Sequence, residues 1–156
     1  MPEPAPNPAP DPVLHEDRLD YTPVLRSVTL ARRRTARLVA EWGHPGVAGD
    51  VALVVSELAT NALLHGSLRG RLIRVRLAAT AATLRVEVSD PRGERLPEAR
   101  KPEDTEQFGR GLLLVEALAD RWGHRPRTVG KTVYAEWDLI ATSVQLVDGK
   151  ERREWR

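Results

Sequence analysis

The chain has 156 residues, of which 41% are hydrophobic and 29% charged, so its length suits one domain with a buried core. Lysine and arginine total 24 against 22 aspartates and glutamates, and this net charge of +2 argues against a strong nucleic-acid binder. The lack of cysteine excludes disulfides, thiolate metal sites and cysteine nucleophiles. We find no apolar run near the roughly 18 residues that span a membrane and no secretory segment, which predicts a cytoplasmic protein.

Three segments are predicted along the chain. Residues 1–17, which open with MPEPAPNPAPDP, are rich in proline and favour an extended, disordered tail. Residues 18–140 carry the hydrophobic periodicity of a folded domain. Residues 141–156, which end in the charged GKERREWR, are expected to form a second tail.

The folded segment is predicted to follow the order β-α-α-β-β-loop-α-(β)-β. The strands are RLDYT, LIRVRL, LRVEVSD and KTVYAEWDL, with one further short strand left unplaced. The first helix has Pro23 in its first turn and ends at Gly43, the second runs from about Val47 to Leu64, and the third is LLLVEALADRWG. Strands adjacent in sequence predict an α+β, two-layer α/β sandwich with a mixed, mostly antiparallel sheet and helices on one face.

A polar stripe stands out on the second helix. Glu57, Asn61 and His65 are spaced i, i+4, i+8 among alanine and leucine residues, so they share one side of the helix. A semi-buried row of this kind indicates a cleft with a carboxylate base and an amide oxygen that suits a hard metal ion. The alternative at this point is that His65 simply caps the helix end beside Gly66.

Asp90 is the second unusual residue. It follows Leu84, Val86 and Val88 at a spacing of two, which predicts that its carboxylate points toward the core. An inward carboxylate needs a hydrogen-bond donor. The donor would be either an exocyclic amino group, such as that of adenine, or the backbone amides of the next turn.

A long loop and a glycine-rich helix start make the third feature. PRGERLPEARKPEDTEQF has 18 residues of mostly charge and proline, typical of a lid, although an idle insertion would look the same. Gly109-Arg110-Gly111 then opens the third helix. Free N–H groups at a helix start bind phosphates, but a lone GxG is also common in turns.

Taken in this order, the three features resemble the GHKL ATPases, the superfamily of gyrase, histidine kinases and mismatch-repair ATPases. ELATNALLHG (57–66) is similar to the N box of that superfamily, DPRG (90–93) to its first glycine box, and GRGL (109–112) to its second. The branch that the chain most resembles is the small anti-sigma factor serine/threonine kinases. The resemblance covers about residues 18–139 and implies a Bergerat-like ATP-binding fold.

The resemblance implies ATP and Mg²⁺ as cofactors, with a role for each motif residue. Glu57 would be the catalytic general base, Asn61 would hold Mg²⁺ against the phosphates, and Asp90 would bind the adenine amino group. The other implied nucleotide-binding residues are His65, Gly93, Gly109, Arg110, Gly111, Leu112 and Thr132.

The implied function is that of an ATP-binding regulatory protein, which sequesters a sigma factor and phosphorylates its protein antagonist on serine or threonine. Its partners would be the sigma factor and the antagonist, without direct contact to nucleic acid or membrane, and the resemblance leaves a homodimer open. Arg92 and Glu94 stand where the first glycine box usually has glycines. This departure motivates the alternative of a degenerate nucleotide-sensing adaptor that binds protein partners without phosphoryl transfer.

Overall fold

The computed structural model describes residues 9–66, 72–90, 112–126 and 130–139. The strands are His15–Tyr21 (β1), Ile73–Ala79 (β2), Thr83–Asp90 (β3), Arg121–Pro126 (β4) and Lys131–Asp138 (β5). The helices are Leu25–Glu41 (α1), Pro45–Asn61 (α2) and residues 112–118 (α3), and a π-helical turn, Ala62–Gly66, continues α2. Most of the predicted tails and the whole predicted lid lie outside the described residues.

The five strands form one sheet in the order β1-β2-β3-β5-β4, and every neighbouring pair is antiparallel. The register places Val75 opposite Leu19 on one side and Val88 on the other, and Val88 opposite Val133. The predicted α+β class is confirmed, and the described sheet is antiparallel throughout. In this order β5 lies between β3 and β4, although both of these strands come before it in the chain.

One face of the sheet packs with the helices to form the core. Its alternating residues are almost completely buried, as the spacing of two predicts: Leu77, Leu84 and Val86 are 0–1% exposed. The helices contribute their own buried side chains, among them Val39 of α1 and Val54 of α2. We call this side of the sheet the core face. Burying these side chains is the main stabilising contribution to such a fold.

The opposite side of the sheet, which we call the outer face, carries charge. A chain of ion pairs crosses it from β1 to β4 and includes Asp20–Arg74, Glu16–Arg76, Arg85–Glu87, Arg85–Glu136 and Arg121–Asp138, with N···O distances of 2.6–2.8 Å. The guanidinium of Arg85 also lies 4.0 Å above the ring centre of Tyr134. The core face is therefore mainly apolar, and the outer face is mainly charged.

The link between α1 and α2 is a tight, glycine-dependent turn. Gly43 has φ +99°, and the N–H groups of Gly43 and His44 donate to the carbonyls of Ala40 and Val39. This pair of bonds is the Schellman motif, in which glycine is favoured because the residue must be left-handed. Pro45 then starts α2, where its missing N–H costs nothing.

The third helix is shorter than the sequence predicts. LLLVEALADRWG was expected to be helical throughout, but the α-helix ends at residue 118 and Arg121 begins β4. Asp120 initiates this change: its N–H donates to the carbonyl of Glu136, and its carboxylate accepts from the N–H of Asp138 at 2.7 Å. Pairing with β5 thus overrides the local helical pattern. The resulting strand, β4, is the short strand whose position the sequence did not predict.

A second expectation, that no apolar stretch of the chain approaches the length needed to span a membrane, was wrong. The segment Pro45–Leu64, which comprises α2 and the start of the π-helical turn, is long and apolar enough to cross a membrane by length and composition. Of the described residues, this is the one helix that passes that test, and 44% of its most apolar window is buried inside the molecule. Because α2 contacts both α1 and the sheet, it needs apolar side chains on several sides.

Candidate functional site

The polar stripe of α2 lies at its C-terminal end, next to the sheet. Asn61 is the last residue of α2 and is only 8% exposed, and Glu57 is partly buried one turn earlier on the same side. The helix contacts β2 and β3. His65 belongs to the π-helical turn, and its side chain lies outside what the structure describes.

The carboxamide of Asn61 is unusual because its Nδ2 atom is buried and has no hydrogen-bond partner among the described residues. A buried polar group without a partner costs about 1–3 kcal/mol. Rotation of the amide by 180° exchanges its donor and acceptor ends, so the same side chain can present either an N–H group or an oxygen. This carboxamide therefore fits a ligand that supplies the missing partner, and its oxygen suits Mg²⁺.

The helix changes its geometry directly after Asn61. Residues Ala62–Gly66 form a single π-helical turn, a feature often found at functional sites. Ala62 and Leu63 still pack against the core, whereas Leu64 is 63% exposed. The N box thus spans the end of a regular helix and the start of an irregular one.

Asp90 is the last residue of β3. It continues the inward phase of Val86 and Val88 and is 6% exposed, so its carboxylate lies on the core face. Its register partner on β5 is Lys131. Since α2 and the π-helical turn both contact β3, the structure brings the elements that carry Asn61 and Asp90 together on one side of the sheet.

Thr132 is placed differently from the other motif residues. It lies directly opposite Ser89 in the β3–β5 ladder, one residue out of phase with Asp90. The hydroxyls of Ser89 and Thr132 are 2.9 Å apart, and both residues are buried on the outer face. The structure therefore does not bring Thr132 beside Asp90, because one residue along a strand changes the face. Counting by two from the buried Val133 would have revealed this.

Most of the glycine-rich part of the predicted site is outside the described residues. This applies to Gly93, Gly109, Arg110 and Gly111, and to the loop between them. Leu112 starts the described part of α3 and packs, partly buried, against the core. Its role toward a nucleotide stays a prediction.

A metal ion at this site would depend on few protein ligands. Within residues 9–66, 72–90, 112–126 and 130–139, no group of three histidine, aspartate or glutamate side chains is arranged to hold a metal ion. Asn61 could supply one amide oxygen. Mg²⁺ is commonly bound by one or two protein groups together with waters and substrate phosphates, so such a sparse donor set is compatible with a nucleotide-bound Mg²⁺.

Sequence reasoning missed a cavity of about 390 Å³ on the outer face. It lies across the sheet from Asn61 and Asp90, so it is separate from the N-box site. The signal was present: Arg74 and Arg76 alternate with buried residues, which identified a wet face but not its shape. The cavity is formed by residues of all five strands, and their order was not predicted.

Two comparisons with known proteins gave matches. The family model described as the histidine kinase-like ATPase domain matches residues 21–137, a range that includes Glu57, Asn61 and Asp90. The crystal structure of the RsbU and RsbW domains of Rv1364c from Mycobacterium tuberculosis is similar in fold, with a TM-score of 0.61 and 20% sequence identity. That match covers 79% of this chain but only 32% of the other, longer chain. No curated protein matches. Because the family model spans most of the chain, the protein belongs to the family of histidine kinase-like ATPase domains.

Proposed function

We propose that this protein binds ATP with Mg²⁺ and acts as a cytoplasmic anti-sigma factor, a serine/threonine kinase that phosphorylates a protein antagonist. The observation that carries the proposal is the buried Nδ2 of Asn61, which has no hydrogen-bond partner in the described part of the chain, on the same side of the sheet as the inward carboxylate of Asp90. By the resemblance of its motifs to those of the GHKL ATPases, Asn61 would be the metal ligand and Asp90 the adenine-binding acid. The family match supports the nucleotide, and the similar fold of a structure with an RsbW domain supports the regulatory role.

Asp90 would select the base. Its carboxylate would accept a hydrogen bond from the exocyclic amino group of adenine, and burial would make that bond strong. Guanine presents a carbonyl oxygen at the corresponding position, which would meet the carboxylate as a second acceptor. We therefore expect a preference for ATP over GTP.

Asn61 and Glu57 would serve the transfer itself. MgATP, when bound, supplies the phosphoryl group and the positive charge that offsets its negative oxygens. The amide oxygen of Asn61 would hold the metal ion, and the carboxylate of Glu57, one helical turn away, would accept the proton from the attacking serine hydroxyl. The partial exposure of Glu57 leaves it accessible to an acceptor side chain.

Calorimetric titration with ATP, with and without Mg²⁺, tests the nucleotide site. Asp90→Asn is expected to weaken ATP binding about tenfold or more under both conditions, because a charged hydrogen bond is lost. Asn61→Ala should remove only the increase in affinity that Mg²⁺ provides. Asp20→Asn is the matched control, since it removes the same charge from the outer face. Failure of the folded wild-type protein to bind ATP or ADP at millimolar concentration would refute the proposal.

Transfer of radiolabel from γ-labelled ATP to candidate antagonist proteins tests the kinase activity. We expect Glu57→Gln to abolish the labelling while it leaves ATP affinity nearly unchanged, because the proton acceptor is lost and the binding groups are kept. Labelling at the wild-type rate in Glu57→Gln would contradict the role of the base.

The degenerate adaptor is the second candidate function. Arg92 and Glu94 at the usual glycine positions of the first glycine box favour it, because side chains there can crowd the nucleotide. Under this alternative the protein binds ATP and its partners, but no antagonist becomes labelled. The Arg92→Gly, Glu94→Gly double variant would then gain transfer activity.

A further inference from the structure

The outer-face cavity is built from the sheet alone. Its lining comprises Arg18, Arg74, Arg76, Glu87, Ser89, Arg125, Pro126 and Thr132, so every one of the five strands contributes. A volume of about 390 Å³ is within the range of small-molecule sites and is at the lower end of it. The cavity thus has room for a small ligand or for one side chain of a partner.

A row of four directly paired residues, one from each of the strands β2, β3, β5 and β4, crosses the floor of the cavity. In this row the hydroxyls of Ser89 and Thr132 are flanked by Arg74 on one side and Arg125 on the other. Directly opposite residues of antiparallel strands point to the same face, so all four side chains lie on the outer face. Two hydroxyls between two guanidinium groups form a set of hydrogen-bond donors.

The two hydroxyls are buried, at 6% and 3% exposure, and are joined to each other by one hydrogen bond of 2.9 Å. That bond uses one of their two hydrogens. The hydroxyl that accepts it keeps its own O–H group. The floor therefore holds one O–H donor beyond the bond between Ser89 and Thr132.

The walls of the cavity carry more positive than negative charge. Four arginines line it against the single carboxylate of Glu87, which pairs with Arg85 at 2.7 Å and lies farther from Arg76, at 3.6 Å, and from Arg125, at 3.8 Å. Arg18 lies directly opposite Arg76, and these like charges are only partly offset, because Arg76 pairs with Glu16 at 2.6 Å. Among the described residues, Arg18 has no carboxylate within ion-pair distance, whereas Arg74 is paired with Asp20.

We propose that this cavity is a binding site for a phosphate monoester, separate from the nucleotide site. A doubly charged phosphate oxyanion would accept from the guanidinium groups of Arg18, Arg76 and Arg125 and from the floor hydroxyl. The ligand is either a small phosphorylated metabolite or a phosphorylated serine or threonine of a protein partner.

The site does not depend on the proposed function. Ser89 and Asp90 are consecutive residues of β3 and point to opposite faces of the sheet, so the two pockets are separated by the thickness of the sheet. Loss of one need not affect the other. Variants can therefore distinguish them.

Calorimetric titration of the full chain with O-phospho-L-serine, at constant ionic strength, tests the proposal. Arg125→Gln and Arg18→Gln should each weaken binding about tenfold, because each removes a charged hydrogen bond. Ser89→Ala should weaken it less, since that bond involves a neutral donor. Arg37→Gln is the matched control: it removes the same charge from an exposed position on α1 and should change nothing.

Two further arms locate the site and identify the source of the phosphate. Binding that survives Asn61→Ala and saturation with ATP supports the outer face, whereas loss in either case would place the phosphate in the nucleotide site and overturn the proposal. Absence of binding at millimolar concentration, or equal loss in Arg37→Gln, would also overturn it. Tighter binding of a phosphoserine peptide than of O-phospho-L-serine and inorganic phosphate indicates a protein partner, and the reverse indicates a metabolite.

Discussion

The two faces of the sheet use the same strands for opposite purposes. On the core face of β3, Leu84, Val86 and Val88 are 0–2% exposed and hold the helices to the sheet. On the outer face of the same strand, Arg85 and Glu87 join a network of ion pairs. Apolar burial contributes much more free energy per residue than exposed ion pairs do. Folding therefore depends mainly on the core face, so the outer face can carry charged side chains that bind a ligand.

Both faces depart from this division at the same end of β3. Asp90 is a buried acid on the apolar side, and Ser89 is a buried hydroxyl on the charged side. Residues that break a local pattern are where function is expected, because their burial costs stability. The C-terminal end of β3 is therefore the part of the sheet in which we place both binding sites.

Leu84→Ala is expected to have the largest effect on stability. The side chain is fully buried on the core face, so its loss should lower the free energy of unfolding by about 2–5 kcal/mol. Arg74→Ala on the outer face should cost about 1 kcal/mol or less, because its pair with Asp20 is partly exposed. Urea denaturation measures both, and equal losses would contradict the comparison of the faces.

Gly123→Ala tests packing on the outer face. A Cβ atom at this position would lie 2.7 Å from Oη and 2.9 Å from Cζ of Tyr134, so the ring must move and its contact with Arg85 must weaken. We expect a loss of about 1–3 kcal/mol in the free energy of unfolding. Gly49→Ala is the control, since an exposed helical glycine with no atom within 4 Å should tolerate alanine and gain stability. Urea denaturation measures both variants. Equal shifts in the denaturation midpoints of Gly123→Ala and Gly49→Ala would mean that the outer face is not tightly packed.

Asn61→Leu is expected to stabilise the nucleotide-free protein by about 1 kcal/mol, because it removes a buried amide N–H group that has no partner among the described residues. Ser27→Ala is the matched control. Ser27 is also 8% exposed, but its hydroxyl donates to the carbonyl of Thr22 at 2.6 Å, so this variant should lose stability. Thermal unfolding without nucleotide measures both. Destabilisation in both variants would show that the amide of Asn61 is fully hydrogen-bonded in the nucleotide-free protein.

The smallest expected effect is on the pH dependence of the free energy of unfolding. Hydrogen bonds from Arg34 hold the pKa of Asp17 below its usual value of 3.8. A lowered carboxyl pKa contributes stability above pH 3.8 that is lost as the pH falls through the folded-state pKa. Arg34→Gln should remove about 1 kcal/mol or less at neutral pH and flatten the acid limb of the stability curve.

The corresponding pair on the outer face is the control for this prediction. Hydrogen bonds from Arg74 also lower the pKa of Asp20, but the Asp20 side chain is 35% exposed against 18% for Asp17. Arg74→Gln should therefore flatten the curve less than Arg34→Gln. Urea denaturation from neutral to acid pH measures the difference, and a larger effect at Arg74 would reverse the comparison.

The sequence alone was enough for the parts of the protein that depend on local periodicity. Alternation at a spacing of two identified β2 and β3 and assigned their faces, including the inward phase of Asp90. The i, i+4 spacing of Glu57 and Asn61 put both on one side of α2. These features follow from the geometry of a single strand or helix, which a sequence contains in full.

Tertiary structure alone decided what depends on distant partners. β4 forms in place of the last helical turns because Asp120 and β5 provide hydrogen bonds that the local sequence does not contain. The apolarity of α2 reflects its contacts with α1 and the sheet. The arginine-lined cavity exists because the strand order β1-β2-β3-β5-β4 brings together side chains from Arg18 to Thr132, and no local pattern specifies such an order.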